Sequence, residues 1–182
     1  MTEHYALDKM KLRSVVASIM TSLGFGPEAE ERRRSRNGRK STMDINKGFR
    51  IDQPSLFIPW HIDEKKLIEL FQGRNLNHVT TGYYTAPCLS FDTLNCMIGF
   101  HFEPRKSGQL KELEFFRTSY AHQRKSFDEF QEAFIQAFGA PLSTTQGDEG
   151  FNNYEWRIGK VQIVHFVFDR FGPEEHMRIK KI

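Results

Sequence analysis

From residue 96 to the C-terminus, apolar and polar positions alternate in a pattern that begins with a β-hairpin. On the first strand, single residues separate the apolar side chains of Cys96, Ile98, Phe100 and Phe102. The return strand repeats this spacing with Leu113 and Phe115. Successive side chains of a strand point to opposite faces, so a period of two predicts two strands that bury one face. The turn signals between them are Pro104, Ser107 and Gly108.

A helical period follows the hairpin. The spacing of three and four residues places on one stripe the apolar side chains of Phe127, Phe130, Ala133, Phe134, Ala137 and Phe138. Ser126 precedes Glu129 by three residues, which is typical of a capping box at a helix N-terminus. Gly139 and Pro141 are typical of a helix end. The pattern predicts a helix over residues 127–138.

Three further strands are predicted after this helix. Tyr154, Trp156 and Ile158 alternate with polar residues. Residues 161–168 are apolar on both faces, which indicates a strand that is central or covered on both sides. Met177 and Ile179 alternate with charged residues and histidine. This polar last strand is suited to a sheet edge.

The middle of the chain follows a looser version of the same plan. Asp63 can cap a short helix that ends at Gly73, and residues 76–84 and 89–93 are strand candidates. The end of this helix resembles residues 137–142 in sequence. This similarity indicates that the chain contains two helix-plus-three-strand repeats. Alternatively, it reflects only that short connections from a helix to a strand commonly contain a glycine. The predicted fold is α+β: one domain over residues 43–182, with an antiparallel sheet and helices mainly on one face.

Charge separates residues 1–42 from the rest of the chain. This segment holds nine Lys or Arg and five Asp or Glu, whereas the remaining residues hold 17 and 18. An amphipathic helix is expected over about 6–22, followed by an Arg-rich linker. Three roles compete for the segment: an arm that binds phosphates, a helix that docks on the domain or on another subunit, or a dispensable extension. The candidate nucleic-acid contacts, within residues 32–40, are Arg32, Arg33, Arg34 and Arg36.

Composition limits the cellular setting. No apolar run approaches the roughly 20 residues that a membrane-spanning helix needs, and no signal-peptide pattern is present at the N-terminus. The sequence therefore predicts a cytoplasmic protein without a membrane partner. The only two cysteines, Cys88 and Cys96, are expected to be free thiols, although they flank a predicted turn and could pair.

The residues offer little for catalysis. His101, His165 and a carboxylate of Glu112 or Glu114 could bind a metal if they met on one sheet face, but no short histidine spacing supports this. Glu112 and Glu114 could also form an acid/base pair in a pocket with His101. No nucleophile elbow, P-loop or dinucleotide motif is present. We expect no catalytic residue, no metal and no cofactor.

Aromatic residues provide the one positive indication of function. Most of them occupy core-period positions, but several fall on polar strand faces or in loops. Aromatic side chains on polar surfaces are typical anchors of protein interfaces. The candidate interface residues are Tyr83, Tyr84, Phe116, Tyr120 and Phe151.

Residues 96–182 carry a helix that ends in Phe138-Gly139-Ala140-Pro141 and a strand that reads Tyr154-Glu155-Trp156-Arg157-Ile158-Gly159. In this the chain resembles small immunity proteins of bacterial toxin systems and the helix-plus-three-strand modules of some inhibitor proteins. The resemblance is one of fold, and it transfers no catalytic residue. It implies a non-enzymatic protein that covers a partner's surface, with a toxin as candidate partner. The alternatives are a nucleic-acid-associated protein that uses the Arg-rich segment, and a small enzyme or ligand-binding domain.

Overall fold

The computed structural model describes residues 44–103, 105–117, 122–169 and 173–182. In chain order its elements are β1 (Gly48–Ile51), β2 (Leu56–Pro59), α1 (Glu64–Leu70), β3 (Asn77–Thr80), β4 (Tyr83–Ser90), β5 (Leu94–Phe102), β6 (Leu110–Phe116), α2 (Gln123–Phe138), β7 (Ser143–Gln146), β8 (Asn152–Ile158), β9 (Val161–Asp169) and β10 (Pro173–Lys181). A 3-10 turn, Asp148–Gly150, joins β7 to β8. The predicted segment 1–42, with its four arginine candidates, and Tyr120 lie outside the described residues.

Eight of these strands form one antiparallel sheet in the order β3-β4-β5-β6-β10-β9-β8-β7, and β1 pairs with β2 separately. In the described part of the chain, each helix is followed by four consecutive strands. The last strands of the two sets, β6 and β10, pair in the middle of the sheet. The prediction of an α+β fold with an antiparallel sheet is confirmed.

The last strand lies elsewhere than predicted. β10 is central, between β6 and β9, and not at an edge. Its polar face carries Arg178, which donates to the Glu112 and Glu114 carboxylates of the neighbouring strand β6. Polarity on one face therefore reflects pairing across the sheet, which the sequence of a single strand cannot reveal.

The inner face of the sheet is the one that carries Ile98, Leu113, Ile163 and Ile179, all buried. Phe134 of α2 lies over this face, with its ring centroid 5.8 Å from that of Trp156 and 6.5 Å from that of Phe115. The ring of Phe71, the C-cap residue of α1, is 5.5 Å from the Phe100 ring. Burial of large aromatic side chains contributes most of the favourable free energy of such a core.

Helix α1 begins as predicted. The Asp63 carboxylate accepts a hydrogen bond of 2.8 Å from the backbone nitrogen of Lys66, which satisfies one of the free amides of the first turn. Gly73 follows the helix with φ of 73°, in the left-handed region that favours glycine.

Helix α2 begins earlier than predicted, and the capping box is wrong. The first helical residue is Gln123, so Ser126 lies inside the helix. Its hydroxyl donates to Glu175 at 2.9 Å. Glu129 forms an ion pair with Arg117 and does not reach back to the helix start. Ser126 and Glu129 therefore bond to residues outside the helix and do not form a capping box with each other.

The strand predictions in the middle of the chain need correction at two turns. The predicted strand 76–84 is broken by a turn at residues 81–82, and the predicted strand 89–93 ends in the turn between β4 and β5. In this second turn Phe91 and Asp92 have φ of 56° and 64°, which is rare for residues other than glycine. The Phe91 ring lies 5.1 Å from that of Phe134, so core packing helps to hold the turn.

One apolar residue of the strand predicted over residues 161–168 is exposed. Phe168 on β9 has 45% of its surface accessible and points to the face opposite His165. Strand β9 is central in the sheet, but the part of the chain that the structure describes leaves Phe168 uncovered. Within the described residues, neither helix is long and apolar enough to cross a membrane.

Candidate functional site

Polar side chains gather in two clusters, one on each face of the large sheet. We call the first the outer-face cluster and define it by the residues Tyr83, His101, Glu112, Glu114, His176 and Arg178. Strand register brings them together: Tyr83 lies opposite His101, and Glu114 lies opposite Arg178. Four strands, β4, β5, β6 and β10, therefore contribute to one patch.

Glu114 is the centre of the outer-face cluster. Its Oε2 accepts hydrogen bonds from the Tyr83 hydroxyl at 3.1 Å and from His101 Nε2 at 3.0 Å. Its Oε1 accepts from Arg178 Nη2 at 3.1 Å. Since a carboxylate can only accept, Nε2 of His101 carries a hydrogen. The Tyr83 and His101 rings also stack with their centroids 4.3 Å apart.

Arg178 joins this centre to two further groups. Its Nη1 donates to Glu112 at 2.8 Å, and its Nη2 lies 3.2 Å from His176 Nδ1. The guanidinium can only donate, so Nδ1 accepts and the hydrogen of a neutral His176 ring sits on Nε2. Contacts to two carboxylates fix the guanidinium plane, as bidentate ion pairs do.

Gly99 makes room for the Tyr83 side chain. A Cβ atom at Gly99 would lie 2.9 Å from Tyr83 Cε2 and 3.0 Å from its hydroxyl oxygen. Gly99 is the residue opposite Glu114 on β5. The missing side chain lets the Tyr83 ring lie across β5 and reach Glu114. A glycine inside a strand often marks such a close approach.

Protonation states follow from these contacts. Burial and the negative charge of Glu114 raise the pKa of Tyr83 to about 12, so its hydroxyl is a donor at neutral pH. Burial alone would raise the pKa of Glu114, but the His101 hydrogen bond, the Arg178 charge and the Tyr83 hydrogen bond together lower it. Glu114 is therefore a carboxylate at neutral pH.

The outer-face cluster is partly open to solvent. The side chains of His101 and Arg178 are each 32% exposed. Aromatic side chains continue the patch along β9: the Phe166 ring stacks on His176 at 4.9 Å, and Phe168 lies beyond it. A charged centre thus adjoins an exposed aromatic area.

The second cluster lies between α2 and the inner face and is buried. His165 Nε2 is 2.9 Å from Glu175 Oε1, while Ser126 Oγ and Gln123 Nε2 donate to Glu175 Oε2 at 2.9 and 3.1 Å. The Phe127 ring stacks on His165 at 4.1 Å. The serine therefore bonds to the carboxylate and not to the imidazole. A nucleophilic triad needs the opposite arrangement, so this cluster is a structural network.

Burial sets the charge of His165. It lowers the pKa of the imidazole and outweighs the hydrogen bond and negative charge of Glu175, which act in the other direction. The neutral ring donates from Nε2 to Glu175, so Nδ1 must accept. Nδ1 lies 2.8 Å from the Gln131 amide oxygen, and the Gln131 amide nitrogen has no partner among the described residues. When the Gln131 amide group is turned by 180°, its nitrogen donates a hydrogen bond to His165 Nδ1.

The structure separates the histidines of the hypothetical metal site. His101 lies on the outer face and His165 on the inner face, so they cannot share an ion, and that hypothesis is wrong. Among the described residues no group of three or more His, Cys, Asp or Glu side chains is arranged to hold a metal.

The interface candidates divide into two groups. Tyr83 and Phe116 are partly exposed on the outer face. Tyr84 and Phe151 are buried, with 7% and 6% of their surface accessible, so their predicted exposure is wrong. The Tyr84 hydroxyl donates to Glu64 at 2.8 Å on the α1 side, and the Phe151 ring packs 4.7 Å from Phe127.

Sequence reasoning missed the two β10 members of the outer-face cluster, His176 and Arg178. Their alternation with Met177 and Ile179 places them on a polar face. That alternation is the only local signal, because the pairing of β10 with β6 spans most of the second half of the chain.

Comparisons with known proteins identify no family. No protein-family model matches the chain, and no curated protein matches it. One similar solved structure is the crystal structure of a DUF4309 family protein, YjgB, from Bacillus subtilis. It has a TM-score of 0.37 and 15% sequence identity, and the match covers 66% of this chain and 78% of that one.

Proposed function

We propose that this chain is a non-enzymatic, cytoplasmic protein-binding protein of immunity or inhibitor type. It would act by covering a surface of a partner protein, such as a bacterial toxin, with the outer face of its sheet. The observation that carries the proposal is the outer-face cluster: an arginine held by two carboxylates, beside partly exposed aromatic rings and the exposed Phe168.

This arrangement suits binding for an energetic reason. Ordering a free arginine or aromatic side chain on binding costs about 0.5–1.5 kcal/mol. Arg178 is already held by Glu112 and Glu114, and Tyr83 by Glu114. Arginine and aromatic residues are also the side chains that most often dominate interface energies. Because these side chains are already fixed on strands, they should lose little further conformational entropy when a partner binds.

Phe168 offers a direct test of this face. Phe168→Asp changes an exposed position of the outer face, and Leu142→Asp is a matched control, because Leu142 is exposed and lies beside the β7 edge. Wild type and both variants are used to capture proteins from an extract of the source cells. We expect a partner that wild type and Leu142→Asp retain and Phe168→Asp loses. Calorimetry with the purified partner should then give a loss of at least about tenfold, or about 1.4 kcal/mol.

Equal binding by all three proteins would exclude the outer face. Non-enzymatic action has a separate readout: the partner should be inhibited stoichiometrically, with its intact mass unchanged and its activity restored on dissociation. A partner that is chemically modified would favour the enzyme alternative.

The second candidate function is nucleic-acid association through residues 32–40. The run of arginines in the sequence supports it. Binding to phosphates releases counterions, so affinity for duplex DNA or RNA should fall steeply between about 50 and 200 mM salt. A salt-insensitive complex with a protein partner would favour the first proposal.

We also infer that the two halves of the domain are versions of one helix-plus-four-strand unit, with both helices on the inner face. The strand order supports this, since each meander runs from an edge to the centre. Both helices are followed by a glycine with positive φ, Gly73 after α1 and Gly139 after α2. Phe71 and Phe134 contact the rings of Phe100 and Phe115, which lie on the same sheet face.

A further inference from the structure

The two cysteines of the chain are direct neighbours across the sheet. Cys88 on β4 pairs with Cys96 on β5, and their sulfur atoms lie 3.7 Å apart as free thiols. Directly opposed residues of antiparallel strands have Cα atoms about 4.5–5.5 Å apart. Disulfides span Cα distances of about 4.4–6.8 Å. The backbone therefore places the two thiols where a bond can form without separating the strands.

The surroundings make the two thiols unequal. Cys88 Sγ lies 3.4 Å from the hydroxyl oxygen of Ser90, which is fully buried. A thiolate at Cys88 would accept from both the Cys96 thiol and the Ser90 hydroxyl. The hydrogen bond with Cys96 lowers the pKa of Cys88 and raises that of Cys96, where burial adds to the increase. Since the thiolate is the nucleophile, Cys88 is the thiol placed to react first.

We propose that Cys88 and Cys96 form an oxidation site, at which a peroxide converts the two thiols into an intramolecular disulfide. The Cys88 thiolate attacks one peroxide oxygen; an S–O bond forms, the O–O bond breaks, and water leaves after protonation. Cys96 then attacks the Cys88 sulfur; the S–S bond forms and the sulfenic oxygen leaves as a second water. Two thiols lose two electrons and two protons, and one hydrogen peroxide becomes two waters.

Access to the site selects small oxidants. Cys88 and Cys96 have 7% and 8% of their surface accessible. Hydrogen peroxide needs only a small opening to approach the Cys88 sulfur, whereas oxidised glutathione must place a much larger group in line with it. The side chains lie on the inner face with Ala86 and Ile98, away from the outer-face cluster. The proposal is therefore independent of the proposed function.

The experiment treats the full-length folded protein with hydrogen peroxide. Intact mass measured without reductant should fall by two hydrogen atoms per chain, a peptide map should link Cys88 to Cys96, and dithiothreitol should reverse both changes. Oxidised glutathione at equal concentration should act at least about tenfold more slowly. Addition of oxygen atoms without a crosslink, or disulfides only between chains, would overturn the proposal.

Two single variants test the order of the steps. Cys96→Ser should leave Cys88 to form a sulfenic acid that dimedone traps, whereas Cys88→Ser should leave Cys96 at least about tenfold less reactive at neutral pH. Ser90→Ala should slow the oxidation of Cys88. Equal reactivity of the two single cysteines would contradict the assigned order. The crosslink itself is measured on the wild-type protein, so that test remains valid even if a variant fails to fold.

Discussion

Glu114 on β6 and Arg178 on β10 are direct cross-strand partners, and the arginine Nη2 donates to the carboxylate at 3.1 Å. The pair spans the junction between the two sets of four strands. Backbone pairing and a side-chain ion pair therefore act at the same junction. Partial burial makes this pair stronger than an exposed surface ion pair, because less water screens it.

Removing Arg178 should destabilise the domain. Arg178→Ala removes the cationic partner of Glu112 and leaves Glu114 with only its Tyr83 and His101 hydrogen bonds. Loss of a partner from a partly buried charged group costs about 1–3 kcal/mol. Urea titration should show this decrease in the free energy of unfolding. The control Lys125→Ala changes an exposed cation on α2 and should cost less than about 0.5 kcal/mol. Equal effects of the two substitutions would mean that the pairing at the junction contributes nothing.

Tyr83 should give the protein an alkaline dependence of stability. The folded state raises its pKa from 10.0 to about 12, so the folded protein binds the proton more tightly. This contribution is complete below about pH 10 and is lost as the pH rises towards 12. We expect the unfolding free energy of Tyr83→Phe to decline less between pH 10 and 12 than that of wild type. Parallel curves over this interval would refute the assignment.

Gly99→Ala should act through Tyr83. The added methyl group would lie 2.9 Å from Tyr83 Cε2 and displace the ring from Glu114, at a cost of about 1 kcal/mol for the lost hydrogen bond. In a Tyr83→Ala background the same change should be neutral or stabilising, because alanine is less costly than glycine in a strand. A double-mutant cycle from denaturant melts measures this coupling. A cost that persists without Tyr83 would point to a different contact.

Ser126→Ala should cost more than the loss of a helix cap. The hydroxyl donates to the buried Glu175 carboxylate, so its removal leaves a buried charge one donor short, at about 1–3 kcal/mol. A cap contributes typically about 1 kcal/mol. The comparison is Ser126→Ala in wild type and in Glu175→Gln, measured by chemical denaturation. The cost should shrink in the second background; an unchanged cost would indicate that Ser126 acts on the helix alone.

A circular permutant should test whether the two halves are continuous units. The backbone nitrogen of Lys160 donates to the Asn46 side chain, and its carbonyl oxygen accepts from the backbone nitrogen of Ile182. Residues 46 and 182 therefore both lie next to Lys160. A short Gly/Ser linker can join residues 182 and 44, with new termini between β6 and α2. We expect cooperative thermal unfolding and native far-UV circular dichroism. New termini inside β9 provide the control, which should not fold. Failure of both proteins would count against the repeat.

Local periodicity predicted part of this fold and little of the candidate site. The hairpin of β5 and β6 and the aromatic stripe of α2 were readable, because each depends on residues close in sequence. The central position of β10 was not readable, because its polar face looks like that of an edge strand until Glu112 and Glu114 are known to lie beside it. β3 and β7 were missed as separate strands because all their side chains are exposed, which leaves no alternation to detect.

Strands β3 and β7 form the two edges of the large sheet, and their properties limit how the protein can polymerise through these edges. An edge strand presents free backbone groups on which another chain can assemble. β3 and β7 are each four residues long, and a register shift interrupts the pairing of β3. A strand added at either end would gain a ladder of only a few hydrogen bonds and little apolar contact. Specific interfaces bury about 1,200–2,000 Å². Fibril growth from the sheet ends should therefore be slow even in concentrated solution.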